Sequence, residues 1–476
     1  MANKHHSGIG ISFTLANLRQ QYAGGHCSPK DAIEAIISSL EARGDDGIWI
    51  YTLPPEDLRS RAAALERTAR QTPAKDLPLW GIPFSIKDCI DVAGLPTSAG
   101  CPGFVYTAER TNPAVQNLID AGAMLIGKTN LDQFATGLVG IRTGYTVPHN
   151  AFSRDHIPGG SSSGAALSVA TGLVSFAIGT DTGGSGRVPA GFNNIVGLKP
   201  TKGRLSTAHT VEACKTLDCL SIFALTAEDA QTVFEIAQSF DPTYPFSSPA
   251  GKPPPKLNAY QPQQVFRFGI PRPDQRAFFG NTEVEARYDA AIADLIELGG
   301  TCLEIDYSPF LEANDLLFNG PWVAERYASV GHFVKASPDA VFPVTREILT
   351  KAEKITAAEA FAGLYAMEAL KRKSQPLWEE IDCLVVPTAG TLYRIDEIEA
   401  DPLRLNATLG YYTNFVNLLD LCAIAIPNGF QSNGLPSGIT LIAPPHSENY
   451  LIALSSAFHR RHLPQLGATA FTLKAG

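Results

Sequence analysis

Several common carriers of function are missing from this sequence. Its 476 residues contain no Cys-x-x-Cys pair, no histidine cluster, no internal repeat and no long basic run. The eight cysteines (Cys27, Cys89, Cys101, Cys214, Cys219, Cys302, Cys383 and Cys422) are scattered, and only Cys214 and Cys219 lie close together. That density argues against a disulfide framework and for reduced thiols, hence a cytoplasmic protein. No metal-ligand spacing is present, and His5 and His6 sit in a segment that reads as a tail. No stretch reaches the roughly 18 apolar residues a membrane helix needs. The start, Met-Ala-Asn-Lys-His-His, lacks the apolar region of a signal peptide. A net charge of −9 without basic runs excludes nucleic acid and anionic membranes as partners.

What is present suits a large packed core: 45% hydrophobic and 18% charged residues. Residues 13–72 read as helices, with Leu15 and Leu18, then Ala32, Ile33, Ile36, Ile37 and Leu40, at helical spacing. From about residue 78, short apolar runs alternate with helical stretches and glycine turns. Pro83–Ile86, Ala123–Ile126 and Val174–Ile178 read as buried strands. A proline-rich stretch, Asp241 to Gln264, reads as an exposed connector. Beyond it, strands are expected at 266–270, 301–307, 383–387, 423–427 and 438–443. Helices are expected across Val284–Leu295 and near 320–334, 355–373 and 405–420. This rhythm predicts one α/β domain over residues 1–476, an α/β/α sandwich with a mixed, mainly parallel sheet covered by helices. Its parts are N-terminal helices (1–75), a core (78–205), the connector (241–264) and a C-terminal α/β part (265–476).

The chemistry concentrates between Ile157 and Lys199. Two glycine/serine loops, Pro158 to Gly164 and Gly179 to Arg187, flank a small-residue helix (Ala165 to Gly172) and an apolar strand. Such loops let backbone approach a ligand and aim several N–H groups one way. Two other patterns compete. Gly122 to Thr129 matches G-x-x-x-x-G-K-[ST], but its middle residues Ala-Met-Leu-Ile read as a strand rather than a phosphate loop; Lys128 and Thr129 then simply end that strand. Gly160 to Gly164 matches G-x-S-x-G around Ser162, but Phe152 to Pro158 is not the apolar strand such an elbow requires, and His332, His446, His459 and His462 have no triad context.

Residues from about 80 to 205 resemble the amidase signature family. The resemblance is carried by Gly81-Ile-Pro-Phe-Ser-Ile-Lys87-Asp88, Gly127-Lys-Thr-Asn-Leu-Asp-Gln-Phe134, the Gly159–Gly164 loop and Gly179–Pro189, with Ser161 and Ser185 separated by 24 residues. It implies Ser185 as nucleophile, Ser161 as a bridging serine on a cis peptide, and Lys87 as base, with no metal and no cofactor. A buried lysine is neutral more readily, and a hydroxyl can relay a proton. Thr182, Gly183 and Gly184 are the candidate oxyanion donors. Ser162 and Ser163 read as structural or helix-capping, and Asp181 and Arg187 as a pair holding the loop.

Outlying segments are similar, within that family, to the allophanate hydrolases. They are Gln133–Gly140, Val188–Asn194, Leu217–Ala224, Gly320–Tyr327 and Tyr412–Asp420. A small anionic substrate is then implied, with Arg326 matching its carboxylate in a two-point fork and Gly137 lining the pocket. Phe318 stands where relatives often carry tyrosine, which removes one expected substrate hydrogen bond. The resembling enzymes often have a further C-terminal domain, which this sequence does not include, and tend to be homodimers. Alternatives within reach are another small-acid or biuret-type amidase and a glutamine-amidase subunit of an amidotransferase.

Overall fold

A computed structural model describes residues 10–69, 77–249, 251, 257, 260–261, 265–461 and 464–473. Among the described residues thirteen strands form in chain order: β1 (Trp49–Thr52), β2 (Pro83–Lys87), β3 (Pro96–Thr97), β4 (Tyr106–Thr107), β5 (Met124–Thr129), β6 (Phe176–Asp181), β7 (Val196–Lys199), β8 (Cys219–Ala224), β9 (Phe266–Pro271), β10 (Gly300–Ile305), β11 (Cys383–Pro387), β12 (Cys422–Phe430) and β13 (Pro436–Ala443). Eleven of them make one sheet in the order β1-β5-β2-β6-β8-β7-β12-β13-β11-β9-β10; β3 and β4 pair as a small ribbon. Helices flank the sheet, so it is the mixed, helix-covered α/β sheet expected. Parallel pairing occurs in two blocks, β5-β2-β6 and β11-β9-β10, and the strands between them run antiparallel.

Most of the inner strands are buried on both faces because their residues are mainly apolar rather than alternating. All residues of β2, β5, β6, β8 and β13 are buried. Phe84 of β2 stacks on Phe176 of β6, with ring centroids 5.1 Å apart and planes 11° apart. Burying one such phenyl ring contributes about 1.5–3 kcal/mol. Helix starts follow local chemistry. Ser28 and Asp31 close a capping box on Pro29–Arg43, and Asn112 caps Pro113–Asp120 with proline in the first turn.

Two expected elements differ. Residues 13–72 are not helical throughout: Trp-Ile-Tyr-Thr forms β1, an edge strand antiparallel to β5, between helices Pro29–Arg43 and Pro55–Ala69. Its aromatic and β-branched residues favour a pleated surface, and four residues are too few to show periodicity. The helix expected near 405–420 is two short ones, Arg404–Leu409 and Phe415–Leu418. The break leaves Thr413 and Asn414 free to reach the loop after β6. Of the proline-rich connector, residues 241–249 form exposed and half-exposed turns, but Leu257 and Tyr260 are buried in the main core, so the stretch is not exposed throughout as expected; most of the remainder, like His5 and His6, lies outside the described residues. No described helix is long and apolar enough to cross a membrane.

Candidate active site

The parallel block brings two of the sequence-predicted residues, Lys87 and Ser161, into contact. Residues Phe84 to Ile86 of β2 pair with Phe176 to Ile178 of β6, so the carboxyl ends of the two strands lie side by side, the edge where α/β sheets build sites. Lys87 is the last residue of β2 and is 0% exposed. Its Nζ lies 2.7 Å from Ser161 Oγ and 2.7 Å from Thr180 Oγ1. Burial lowers its pKa; Cys89, Asp132, Asp218 and Asp181 pull the other way.

A second buried lysine makes the contrast. Lys128, on neighbouring β5, is also 0% exposed, but it forms an ion pair with Asp88 at 3.2 Å and binds Pro96 O at 2.8 Å. It is a structural cation closing a strand, and the phosphate-loop pattern around it is a strand, Met124–Thr129. Among the described residues, Lys87 has only hydroxyl partners and no carboxylate in direct contact.

Ser161 is held by its backbone. The Gly160–Ser161 peptide is cis. Asp132 N donates to Ser161 O at 3.0 Å, and Gly160 N donates to Leu138 O at 2.8 Å. The Asp132 carboxylate gathers the amides of Val139, Gly140 and Arg142 at 3.2, 2.9 and 3.0 Å. A side chain at Gly160 would collide with Asp132 Oδ2 and Gly140 N, which is why glycine stands there. Ser162 is buried, and its Oγ donates to Thr180 O at 3.1 Å; it makes no cap bond to helix Ser163–Ala170. It is structural, as expected, but as a tie to β6 rather than a cap.

Ser185 is 3% exposed in the loop that follows β6. Asp181 and Arg187 form the pair read from the sequence, two-pronged at 2.9 Å on each side. Burial alone would raise the Asp181 carboxyl, but the Arg187 guanidinium holds it below its usual range. Asp181 also accepts Gly184 N at 2.9 Å and Gly186 N at 3.0 Å. Arg187 reaches on to Thr413 O (3.1 Å) and Asn417 Oδ1 (3.2 Å), and Thr413 Oγ1 donates to Gly183 O at 2.7 Å. These bonds refine one expectation. Of the three candidate oxyanion amides, that of Gly184 already donates to Asp181 Oδ1. Removing one partner of a buried ion pair costs about 3–5 kcal/mol. Asp181→Ala is therefore expected to lower unfolding free energy by that order in chemical denaturation, while Ser162→Ala costs far less.

Arg326 lies on helix Trp322–Ala336 and is 3% exposed. Its Nη1 is 3.4 Å from Ala135 O and 3.5 Å from Thr136 Oγ1, so Arg326 and Gly137 belong to one neighbourhood. Gly137 packs on Asp132, where a Cβ would come within 2.7 Å of Oδ2. The side chain of Phe318 lies outside the described ones. Sequence reasoning missed Thr180, Asp132, Thr413 and Asn417. All four fall inside segments that carried the resemblance, but nothing in their spacing marks them.

A buried lysine touching a serine on a glycine-rich loop, beside a second glycine/serine loop braced by an ion pair, defines a serine–lysine site on an α/β sheet. The Amidase family model matches residues 31–452, and the chain belongs to that family. Kluyveromyces lactis allophanate hydrolase superposes with a TM-score of 0.88 at 37% identity, over 98% of this chain and 74% of that one. Saccharomyces cerevisiae urea amidolyase is 40% identical over 91% of this chain and 23% of its own length. A glutamyl-tRNA(Gln) amidotransferase subunit from Acidobacterium capsulatum is 30% identical over 93% of this chain and 98% of its own. The chain thus spans about a quarter of the urea amidolyases it matches.

Proposed function

We propose that this chain hydrolyses allophanate (urea-1-carboxylate), with Ser185 as nucleophile, Ser161 as proton relay and Lys87 as base. The observation that carries the reading is the buried Lys87 Nζ, 2.7 Å from Ser161 Oγ and, among the described residues, bonded only to hydroxyls. Neutral Lys87 takes a proton from Ser161 as Ser161 takes the Ser185 proton, and Ser185 Oγ attacks the amide carbonyl. The tetrahedral oxyanion is met by the amides of Thr182 and Gly183. Collapse breaks the C–N bond, and the relayed proton returns through Ser161 to the leaving nitrogen, which departs as ammonia. Water then attacks the acyl-enzyme by the same relay, and the carboxylated product goes on to carbon dioxide.

The substrate class rests on the likeness to allophanate hydrolase and urea amidolyase and on Arg326, a buried guanidinium suited to a carboxylate. Losing a charge-assisted fork costs about 1.5–3 kcal/mol, or about 10- to 150-fold in binding. Arg326→Ala is expected to raise KM for allophanate by that factor and to leave kcat on a neutral amide nearly unchanged. An unchanged KM would remove Arg326 from the pocket. The substrate itself is tested by comparing allophanate, malonamide, biuret, glutamine and a long-chain amide; highest kcat/KM on any but allophanate would overturn the assignment. Glutamine is the second reading, because the amidotransferase relative is similar over nearly its whole length. All eight cysteines are free, which supports a cytoplasmic setting; a homodimer, expected from the resemblance, is proposed alongside.

A further inference from the structure

One buried carboxylate beside the site has no part in the reaction above. Asp218, just before β8, is 5% exposed. Its Oδ1 accepts the Thr182 hydroxyl at 2.5 Å and the Cys214 amide at 3.1 Å, and its Oδ2 accepts the Ala213 amide at 2.8 Å. The turn closed this way is tied to the helix that carries Arg326. Cys214 Sγ donates to Trp322 O at 3.4 Å, and Glu325 accepts both the amide (2.9 Å) and the hydroxyl (2.8 Å) of Thr216. Asn417 braces the near side, donating to Asp181 O at 2.7 Å and Leu217 O at 3.1 Å. A chain of hydrogen bonds therefore runs from the oxyanion loop to the proposed substrate arm.

The charges connect the same groups. Arg326 and Lys87 both act electrostatically with Asp218, as do Cys89, Cys214 and Tyr244 around it. Asp132, Asp181 and Cys89 also face Lys87. Burial brings the Asp218 carboxyl up to about 6, against the hydrogen bonds from Thr182, Cys214 and Ala213.

We propose that Asp218 is a positioning residue that couples the two halves of the site: through Thr182 it aims the oxyanion amides, and through the 213–218 turn it holds Arg326 at a fixed reach from Ser185. An amide carrying a carboxylate at that reach is thereby favoured over a neutral one. The proposal rests on the amide-hydrolase reading and deepens it. A misplacement of about 1 Å in such a frame costs on the order of 100-fold in rate.

Asp218→Asn keeps the shape, removes the charge and turns one acceptor into a donor facing backbone N–H groups. Allophanate and biuret are the probes, since they share a skeleton and differ in carrying a carboxylate or an amide. Rates are expressed per Ser185 site titrated with a fluorophosphonate, which removes any loss of folded protein. Expected are a fall of about tenfold or more in kcat on both substrates, and a further fall in the allophanate-to-biuret ratio of kcat/KM. The acidic limb of kcat/KM moves to lower pH, because Asp218 no longer favours the Lys87 ammonium. In the Arg326→Ala background the ratio falls no further. Thr182→Val, which cuts the same link from the other end, reproduces the loss of kcat. An unchanged kcat per titrated site overturns the proposal, as does a uniform loss with the ratio and the limb unmoved. The rate of Ser185 phosphonylation is read in the same samples. A wild type that is phosphonylated but hydrolyses neither substrate refutes the allophanate reading alone; Asp218→Asn slowing phosphonylation about tenfold then still sustains the positioning role, and an unchanged rate ends it.

Discussion

Ser185→Ala is expected to abolish amide turnover, a loss of about 10⁴-fold or more, and to leave the denaturation midpoint close to wild type. The size follows from removing the atom that forms the acyl bond; residues acting as one catalytic unit lose nearly the whole effect when one is removed. The intact fold follows from how the loop is built. Asp181, Arg187 and Thr413 hold its backbone through Gly183, Gly184 and Gly186, and none of these bonds uses the Ser185 side chain. Circular dichroism and a urea titration check the fold, and ammonia release checks the turnover. Retained activity in this variant would mean that another group attacks the carbonyl.

Lys87→Ala has a comparable effect, on the order of 10³- to 10⁴-fold, because base catalysis is worth roughly that much and Ser161 loses its proton acceptor. Lys87→Arg is the sharper test. A guanidinium keeps the charge and reach but does not give up its proton near neutrality, so the arginine variant is expected to be as dead as the alanine variant. Rescue by arginine would make Lys87 an electrostatic anchor rather than a base. With Lys87 as the proposed base, wild-type activity requires its neutral amine, and kcat/KM is expected to fall as pH drops through its pKa. Burial depresses that pKa, so the acidic limb lies below the ordinary lysine value of about 10.4. A limb at or above that value would contradict the assignment.

The proposed triad comes from the resemblance to the amidase signature family, and of its members the structure brings Lys87 and Ser161 within 2.7 Å. Glycine/serine loops locked between an apolar strand and a small-residue helix have few structural uses, and their length makes chance agreement rare. Context also disposed of Lys128, since four apolar residues before it read as β5 and not as a loop. What stayed hidden depends on the third dimension. Trp49–Thr52 is too short to show a period and becomes a strand only because β5 offers an edge. Thr180 matters because the β2–β6 register lays it beside Lys87. Asp218 and Asn417 act across long chain separations, Asn417 reaching Asp181 O from 236 residues away. Local patterning cannot report such pairs. Gly184 shows the same limit: its glycine character fits an oxyanion donor, yet its amide is bonded to Asp181.

The central claim is that this serine–lysine site cleaves the amide of allophanate. It is tested most directly by ammonia release from allophanate, measured for wild type and Ser185→Ala at equal concentration. The expected result is steady release by the wild type and none above background in the variant. Equal release by both, or none from allophanate by a wild type that is phosphonylated at Ser185, would contradict it.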